Sequence, residues 1–270
     1  MCHCTKNGTV WARIDMKADK YLSWLYVISS AASVLSLICI SIVWFYWSRT
    51  LNTCQTSDTD YSNDNCGCIL FGKWGEFYFR GGGITVCYFV TLAPLPVAIW
   101  SGILALYHGY RACCSVAPIK LTLITKDRVK SINTQLWPLG LMVFFTIMST
   151  SILVLMVTSI LVMVVGYNQT CQQYKKFIVS NLNANGALVR AVYERLPCEV
   201  SFDLMDYLQP DPVYIDYRYR RGNWMIDTDL LLKISMESAA LTIILYFIIT
   251  VFNVKCCRMP KVKNVLNTQL

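Results

Sequence analysis

The sequence has little charge, very little histidine and none of the common catalytic motifs. Charged residues make up 15% of its 270 residues, and the chain contains 2 histidines, whereas a soluble domain carries about 25% charged residues. It contains no His-Glu-x-x-His run and no evident pairing of a nucleophile with a general base. The run Met1-Cys2-His3-Cys4 offers three possible metal ligands without a fourth partner. These absences argue against a soluble enzyme, and we expect no catalytic residue, metal site or cofactor.

What the sequence does contain is four long apolar stretches, at residues 21–48, 81–110, 136–167 and 234–254. Each reaches or exceeds the ~20 residues that a helix needs to cross a bilayer. The four stretches contain a single Asp, Glu, Lys or Arg, which is Glu237 near the edge of the last one. Lys233, one turn earlier on the same helix face, is its expected ion-pair partner. The pattern predicts an all-α membrane protein, a bundle of four transmembrane helices.

The charges outside these stretches predict how the chain is oriented. Residues 1–20, 111–135 and 255–270 together carry thirteen basic and three acidic side chains, whereas the connections 49–80 and 168–233 carry eleven basic and twelve acidic ones. Short basic flanks stay in the cytoplasm during insertion. We therefore expect both termini and the 111–135 loop in the cytoplasm, and a small extracellular domain built from the two connections. Basic flanks arranged in this way fit anionic lipid as a partner rather than nucleic acid.

The cysteines divide according to this orientation. Six lie outside, or at the outer mouth of a span, in an oxidising compartment where disulfides form; they are Cys54, Cys66, Cys68, Cys87, Cys171 and Cys198. The sequence does not fix the pairing, but Cys66 and Cys68 are too close to pair with each other, and a Cys171–Cys198 bond would close the helix-like segment between them. Six more lie beside the spans on the cytoplasmic side and are candidates for palmitoylation, with plain interfacial thiols as the alternative; they are Cys2, Cys4, Cys113, Cys114, Cys256 and Cys257.

Small polar residues and prolines mark the faces and bends of the spans. Helices associate in lipid through close packing of small residues, so two groups are expected to face neighbouring helices: Ser29, Ser33 and Ser36 in the first span, and Thr146, Ser149, Thr150 and Ser151 in the third. In the second span Pro94 and Pro96 predict a kink.

The second connection and the tail carry three further signals. Asn168-Gln169-Thr170 is an acceptor sequence for N-glycosylation at Asn168. An aromatic and arginine-rich stretch offers candidates for partner contact, the alternative being packing on the first connection or at the headgroups; they are Tyr214, Tyr217, Tyr219, Arg220 and Trp224. The chain ends with Thr268 and Leu270 at the positions that a PDZ groove reads, which makes a PDZ scaffold a possible partner.

Four short motifs resemble a known family. They are a Cys-Ile-Leu-Phe run at 68–71, a Cys-Tyr-Phe-Val run at 87–90, the aromatic end of the second span at 104–113, and the stretch at 154–171. Together they are similar to the tetraspan proteins called transmembrane protein 179 and to the insect pasiflora tetraspans of septate junctions. Claudins share the general plan, but Trp74 is not followed by a cysteine at the claudin spacing.

The resemblance implies a structural or adhesive role in occluding cell–cell junctions of epithelia or glia. It places the chain in the plasma membrane at lateral cell borders, with other junctional membrane proteins in cis or trans as partners. The alternative is an auxiliary subunit of an ion channel or receptor.

Overall fold

The computed structural model describes residues 10–51, 66–74, 79–113, 139–181, 185–208 and 226–266. Near several ends of these ranges it describes the backbone alone. The elements follow one another as α1 (Val10–Leu51), β1 (Cys66–Trp74), β2 (Phe79–Gly83), α2 (Ile84–Leu92), α3 (Pro94–Cys113), α4 (Leu139–Asn181), α5 (Ala187–Arg195), α6 (Cys198–Leu208) and α7 (Thr228–Leu266).

The structure is mostly helical, and it has four helical stretches that are long and apolar enough to cross a membrane. They are Asp19–Ser48, Ile84–Cys113, Val143–Ser180 and Thr228–Val254. Each predicted span overlaps one of them, although residues 81–83 of the second predicted span belong to strand β2. The expected all-α class is incomplete, however, because β1 and β2 pair as an antiparallel hairpin. Hydropathy does not reveal this hairpin, since its strands are short and rich in glycine.

Helix α4 continues 14 residues beyond the expected end of the third span at residue 167, to Asn181. Its extension keeps one buried face at helical spacing, formed by Tyr167, Thr170, Cys171, Tyr174 and Lys175. A face that recurs at every third or fourth residue packs as a helix even where the sequence becomes polar. Packing of this face therefore explains why the helix continues beyond the apolar stretch.

The second span divides at a single residue. Helix α2 ends at Leu92, Ala93 forms a turn, and Pro94 begins α3. The Ala93 N–H still donates to the Phe89 carbonyl at 2.9 Å, whereas Pro94 has no N–H to continue the ladder. The prolines interrupt the helix where the sequence predicts.

The chain forms two compact units. The first consists of residues 1–31, 97–154 and 242–270, and the second of residues 32–96 and 155–241. The core of the first unit is a cluster of buried apolar side chains: Leu22, Tyr26, Leu104, Ala105 and Ile249. The second unit buries larger side chains, among them Trp47, Met163, Phe202 and Leu232, and the Phe202 ring stacks on Tyr167 with centroids 4.8 Å apart.

The serine face of α1 contacts other helices as expected. Ser29 Oγ lies 3.5 Å from Ser101 Oγ in the first unit, and Ser36 Oγ lies 3.0 Å from Ser235 Oγ in the second. The expectation for the third span is wrong at Thr150 and Ser151, which are exposed. Thr150 donates to the carbonyl of Thr146 in its own helix at 2.8 Å, so it needs no partner on a neighbouring helix.

Candidate functional site

The hairpin of β1 and β2 in the second unit has an irregular register. Cys68 pairs with Gly82 and Lys73 with Arg80, and the register shifts between these two pairs. Phe71, inside the shifted segment, has a φ of 60°, which is rare for a residue with a side chain. A Cβ at Gly82 would lie 2.0 Å from the Leu70 carbonyl oxygen. The bulged strand therefore fits only against glycine at position 82.

Helix α4 contacts this strand at two positions, through the hydroxyl group of Thr170 and at Gly166, which has no side chain. Thr170 Oγ1 donates to the Ile69 carbonyl at 2.7 Å and accepts from the Gly72 N–H at 3.0 Å, and both bonds are buried. One turn earlier, a Cβ at Gly166 would lie 2.8 Å from Cε2 of the Phe71 ring. We call this set of contacts between β1 and α4 the hairpin clamp. In the clamp, the Phe71 ring lies against Gly166, and two backbone groups on the edge of β1 are hydrogen-bonded.

Two disulfides reinforce the same unit. Cys68 bonds to Cys87 and joins β1 to α2, and Cys171 bonds to Cys198 and joins α4 to α6. The sequence left the pairing open, and the second bond is one of the pairings that it allowed. In the first, Cys68 bonds to a cysteine other than its neighbour Cys66, as expected. By loop-closure entropy each bond stabilises the fold by about 3 kcal/mol. Cys54 lies outside the described residues, and of Cys66 the structure describes the backbone alone.

The start of α7 is fixed by Asp206 of α6. Asp206 Oδ2 accepts from the Thr228 N–H at 2.9 Å, and Oδ1 accepts from Thr228 Oγ1 at 2.6 Å. The same hydroxyl accepts from Trp47 Nε1 of α1 at 2.8 Å. A carboxylate on the first N–H groups of a helix stabilises its N-terminus. Asp227, directly before the helix, adds a local cap, since its Oδ1 accepts from the Leu230 N–H at 2.9 Å. The two carboxylates together explain why α7 begins at Thr228, six residues before the apolar stretch.

An ionic cluster occupies the first turns of α7 and corrects one expectation. Lys233 Nζ lies 2.7 Å from Asp229 Oδ2 and 3.2 Å from Glu199 Oε2, and the Tyr167 hydroxyl donates to Asp229 Oδ1 at 2.5 Å. The predicted pair of Lys233 with Glu237 is therefore wrong. Helical side chains point towards the N-terminus, so Lys233 reaches the carboxylate one turn before it, and Glu199 of α6 adds a second.

A second polar cluster lies in the first unit. Asp19 Oδ1 lies 3.1 Å from His108 Nδ1, and Asp19 Oδ2 lies 3.6 Å from an Arg111 guanidinium nitrogen. The Tyr26 ring stacks on His108 with centroids 5.6 Å apart. His108 therefore joins α3 to α1. The sequence does not predict the contact of Asp19 with His108, because Asp19 is one of several charged residues in the basic N-terminal flank.

The remaining predicted residues divide by whether the structure describes them. Asn168 is exposed on α4, whereas Thr170 of the same acceptor sequence is buried in the hairpin clamp. Cys113 is a free, exposed thiol at the end of α3. Cys256 and Cys257 lie on α7 where the backbone alone is described. Outside the described residues lie the other predicted sites: Cys2, Cys4, Cys114, Tyr214, Tyr217, Tyr219, Arg220, Trp224, Thr268 and Leu270.

Three polar side chains of the second unit are engaged by groups within the described part of the chain. The hydroxyl of Thr170 is engaged by backbone, and the carboxylates of Asp206 and Asp229 by hydrogen-bond donors or an ammonium group. In the part of the chain that the structure describes, no group of three or more His, Cys, Asp or Glu side chains is placed to hold a metal ion. Comparison with known proteins finds no family model, no characterised sequence and no solved structure that matches this chain.

Proposed function

We propose that this chain is a multi-pass structural protein of cell–cell junctions in the plasma membrane, contributing to the occluding, septate-type barrier of epithelia or glia. The observation that supports the proposal is the hairpin of β1 and β2, which is held in place by two neighbouring helices. A short hairpin alone is marginally stable, yet here β1 is fastened to α4 by the hairpin clamp and to α2 by the Cys68–Cys87 bond. This agrees with the resemblance to junctional tetraspans, whose Cys-x-Leu-Phe motif corresponds to residues 68–71 of this strand.

A hairpin that is already held in one conformation suits adhesion for an energetic reason. Ordering a loop at the moment of contact lowers affinity, and a segment already held in one conformation avoids that loss. The second disulfide, between Cys171 and Cys198, fixes α6 to α4 in the same unit. The exposed residues of this unit can then meet junctional proteins of the same or the opposing membrane. The aromatic and arginine-rich segment that contains Tyr217 and Arg220 is a further contact candidate.

The disulfides also support an extracellular position for this surface. Both bonds connect cysteines that the charge pattern assigns to the outside, whereas Cys113, assigned to the cytoplasm, is free. Disulfides persist in oxidising compartments and are rare in the cytosol. With the termini and the 111–135 loop in the cytoplasm, acylated cysteines and the terminal Thr268 and Leu270 would hold the protein to the membrane face and to a PDZ scaffold.

The alternative function is an auxiliary subunit of an ion channel or receptor. One observation favours it, namely the exposed Glu237 on α7. An ionisable side chain within an apolar span is by default a functional candidate. Co-purification with one channel, without any effect on barrier permeability, would support this second function.

The test is to tag the protein at its natural level in an epithelium and to measure its position and the layer's permeability to a tracer dye after its removal. We expect enrichment at lateral borders and a several-fold rise in permeability. Wild-type protein should restore the barrier, whereas the double variant Cys68→Ser, Cys87→Ser, compared at equal surface amount, should not. Diffuse staining with unchanged permeability would refute the junctional role.

A further inference from the structure

The acceptor sequence for N-glycosylation lies inside helix α4. Asn168, Gln169 and Thr170 are consecutive residues of Leu139–Asn181. In an α-helix each residue turns by about 100°, so side chains two residues apart do not face the same way. Asn168 is accordingly exposed, whereas Thr170 is fully buried. In the folded helix, the two side chains that define the acceptor sequence therefore lie on different faces.

Transfer of a glycan needs these two side chains together. The acceptor pattern requires a hydroxyl-bearing residue two positions after the asparagine, so the transferring enzyme must read both. In the reaction the amide nitrogen of Asn168 bonds to the first sugar of a lipid-pyrophosphate-linked oligosaccharide and loses a proton. The bond from that sugar to the pyrophosphate breaks, and the lipid pyrophosphate leaves. Side chains at i and i+2 share a face in an extended segment. Transfer at Asn168 therefore requires residues 168–170 to be extended rather than helical.

In the folded chain the hydroxyl of Thr170 is already engaged. It donates to the Ile69 carbonyl at 2.7 Å and accepts from the Gly72 N–H at 3.0 Å, and both bonds are buried. The next residue, Cys171, is buried and bonded to Cys198. Extending residues 168–170 would thus require α4 to separate from β1 and to unwind beside a disulfide. The folded second unit does not present a complete acceptor.

The order of synthesis lets the hairpin clamp compete with glycan transfer. Ile69 and Gly72 precede Thr170 by 101 and 98 residues, so both of its partners are present when α4 is made. The Cys171–Cys198 bond must wait for a further 27 residues. The clamp can therefore form before this disulfide, and a chain in which it has formed has no free hydroxyl at position 170.

We propose that Asn168 accepts a glycan only before the hairpin clamp forms, so that folding and glycan transfer compete for the hydroxyl of Thr170. Chains that fold promptly stay unmodified, and chains that fold slowly acquire the glycan. Because Asn168 is exposed on α4, a glycan added early leaves the clamp free to form afterwards. The inference rests on the extracellular position proposed above for this unit and does not use the junctional role.

The test in cells is the fraction of newly made chains whose gel mobility changes on treatment with an N-glycosidase. Gly82→Ala places a methyl group 2.0 Å from the Leu70 carbonyl oxygen and so disturbs β1 without altering the acceptor sequence. We expect the glycosylated fraction to rise severalfold over that of the wild type. Gly83→Ala, whose added methyl group meets no atom within 4 Å, is the matched control and should equal the wild type.

Two further measurements keep the test sharp. The other acceptor sequence, Asn7-Gly8-Thr9, is intact in every variant, so Asn168→Gln introduced into each of them should abolish the mobility change. Purified chain in detergent is also incubated with an oligosaccharyltransferase and its lipid-linked donor. The folded wild-type chain should accept the glycan severalfold more slowly than the same chain after reduction and unfolding, and this comparison holds even where Gly82→Ala fails to fold.

The outcomes separate this inference from the position on which it rests. Equal and substantial glycosylation at Asn168 in the wild type and in Gly82→Ala would overturn the inference and leave the extracellular position supported. Equal transfer to the folded and the unfolded purified chain would overturn it as well. If no variant is glycosylated at Asn168 in cells, although the unfolded purified chain accepts the glycan, both the inference and the extracellular position are wrong.

Discussion

Thr170 is part of a predicted glycosylation sequence and also makes buried hydrogen bonds within the fold. In the sequence it completes the acceptor motif that makes Asn168 a predicted glycosylation site. In the structure its hydroxyl is buried and bridges the Ile69 carbonyl and the Gly72 N–H. A buried N–H that loses its acceptor destabilises a protein by about 1–3 kcal/mol. The hydroxyl thus has a structural role that does not depend on any glycan.

We predict that Thr170→Val lowers the stability of the second unit by about 2 kcal/mol, because the Gly72 N–H would stay buried without an acceptor. The midpoint of thermal unfolding in detergent should fall by roughly 5 °C. Thr170→Ser keeps both the hydroxyl and the acceptor motif and should retain most of the stability. Asn168→Gln removes the acceptor motif alone, and any gel-mobility shift it causes reports glycosylation separately. If Thr170→Val unfolds at the wild-type temperature, the hairpin clamp does not depend on this hydroxyl.

At the scale of elements, the hairpin and the ends of the long helices depend on contacts between segments far apart in sequence. Strand β1 is shaped by Gly82 on β2 and by Gly166 on α4. The first residue of helix α7 binds Asp206 of α6, in addition to the local cap from Asp227. The start of α5 depends instead on a local feature. Gly186, the residue directly before this helix, has a φ of 58°, a value that favours glycine.

Two adjacent glycines of β2 provide a matched comparison. Gly82→Ala would place a methyl group 2.0 Å from the Leu70 carbonyl oxygen, whereas Gly83→Ala meets no atom within 4 Å. The first change should cost more than about 2 kcal/mol, since the backbone of β1 must move, and the second less than about 0.5 kcal/mol. The thermal midpoint and the fraction of chains with the Cys68–Cys87 bond measure the outcome. Similar losses in both variants would contradict the observed register.

For the whole molecule, the decisive property is the orientation of the chain in the membrane. The basic flanks predict that 1–20, 111–135 and 255–270 lie in the cytoplasm, and both disulfides join cysteines on the side that this prediction assigns to the outside. These two arguments rest on different physics, namely charge during insertion and thiol oxidation after it.

Lysine labelling of intact cells tests the orientation. A membrane-impermeant amine reagent should modify Lys73 and Lys176, which are exposed and expected outside, and should modify Lys20 only after the cells are permeabilised. Lys175, next to Lys176 but only 5% exposed, is an internal control that should react after unfolding. Modification of Lys20 in intact cells with Lys176 spared would reverse the orientation.

Much of the helical plan can be read from the sequence, because length and hydropathy act locally. The four apolar stretches, the break at Pro94 and the serine face of Ser29 and Ser36 needed no knowledge of the fold, whereas the cysteine pairing was left open by the sequence. The hairpin, the clamp at Thr170 and the partner of Lys233 could not be found in this way. The clamp joins residues about 100 positions apart in sequence. The hairpin depends on an irregular register that no simple alternation of residues marks, and the partner of Lys233 depends on which of several nearby carboxylates it reaches.

The sequence alone determined that this chain has four helices suited to a membrane, since apolar surface of that length is stable only away from water. The tertiary structure alone decided which polar groups are satisfied internally and which are not. Asp206, Asp229 and Lys233 are matched by one another or by neighbours, because α6 folds back beside α7. Glu237 is exposed, and the lysine one turn before it pairs with Asp229 and Glu199 instead.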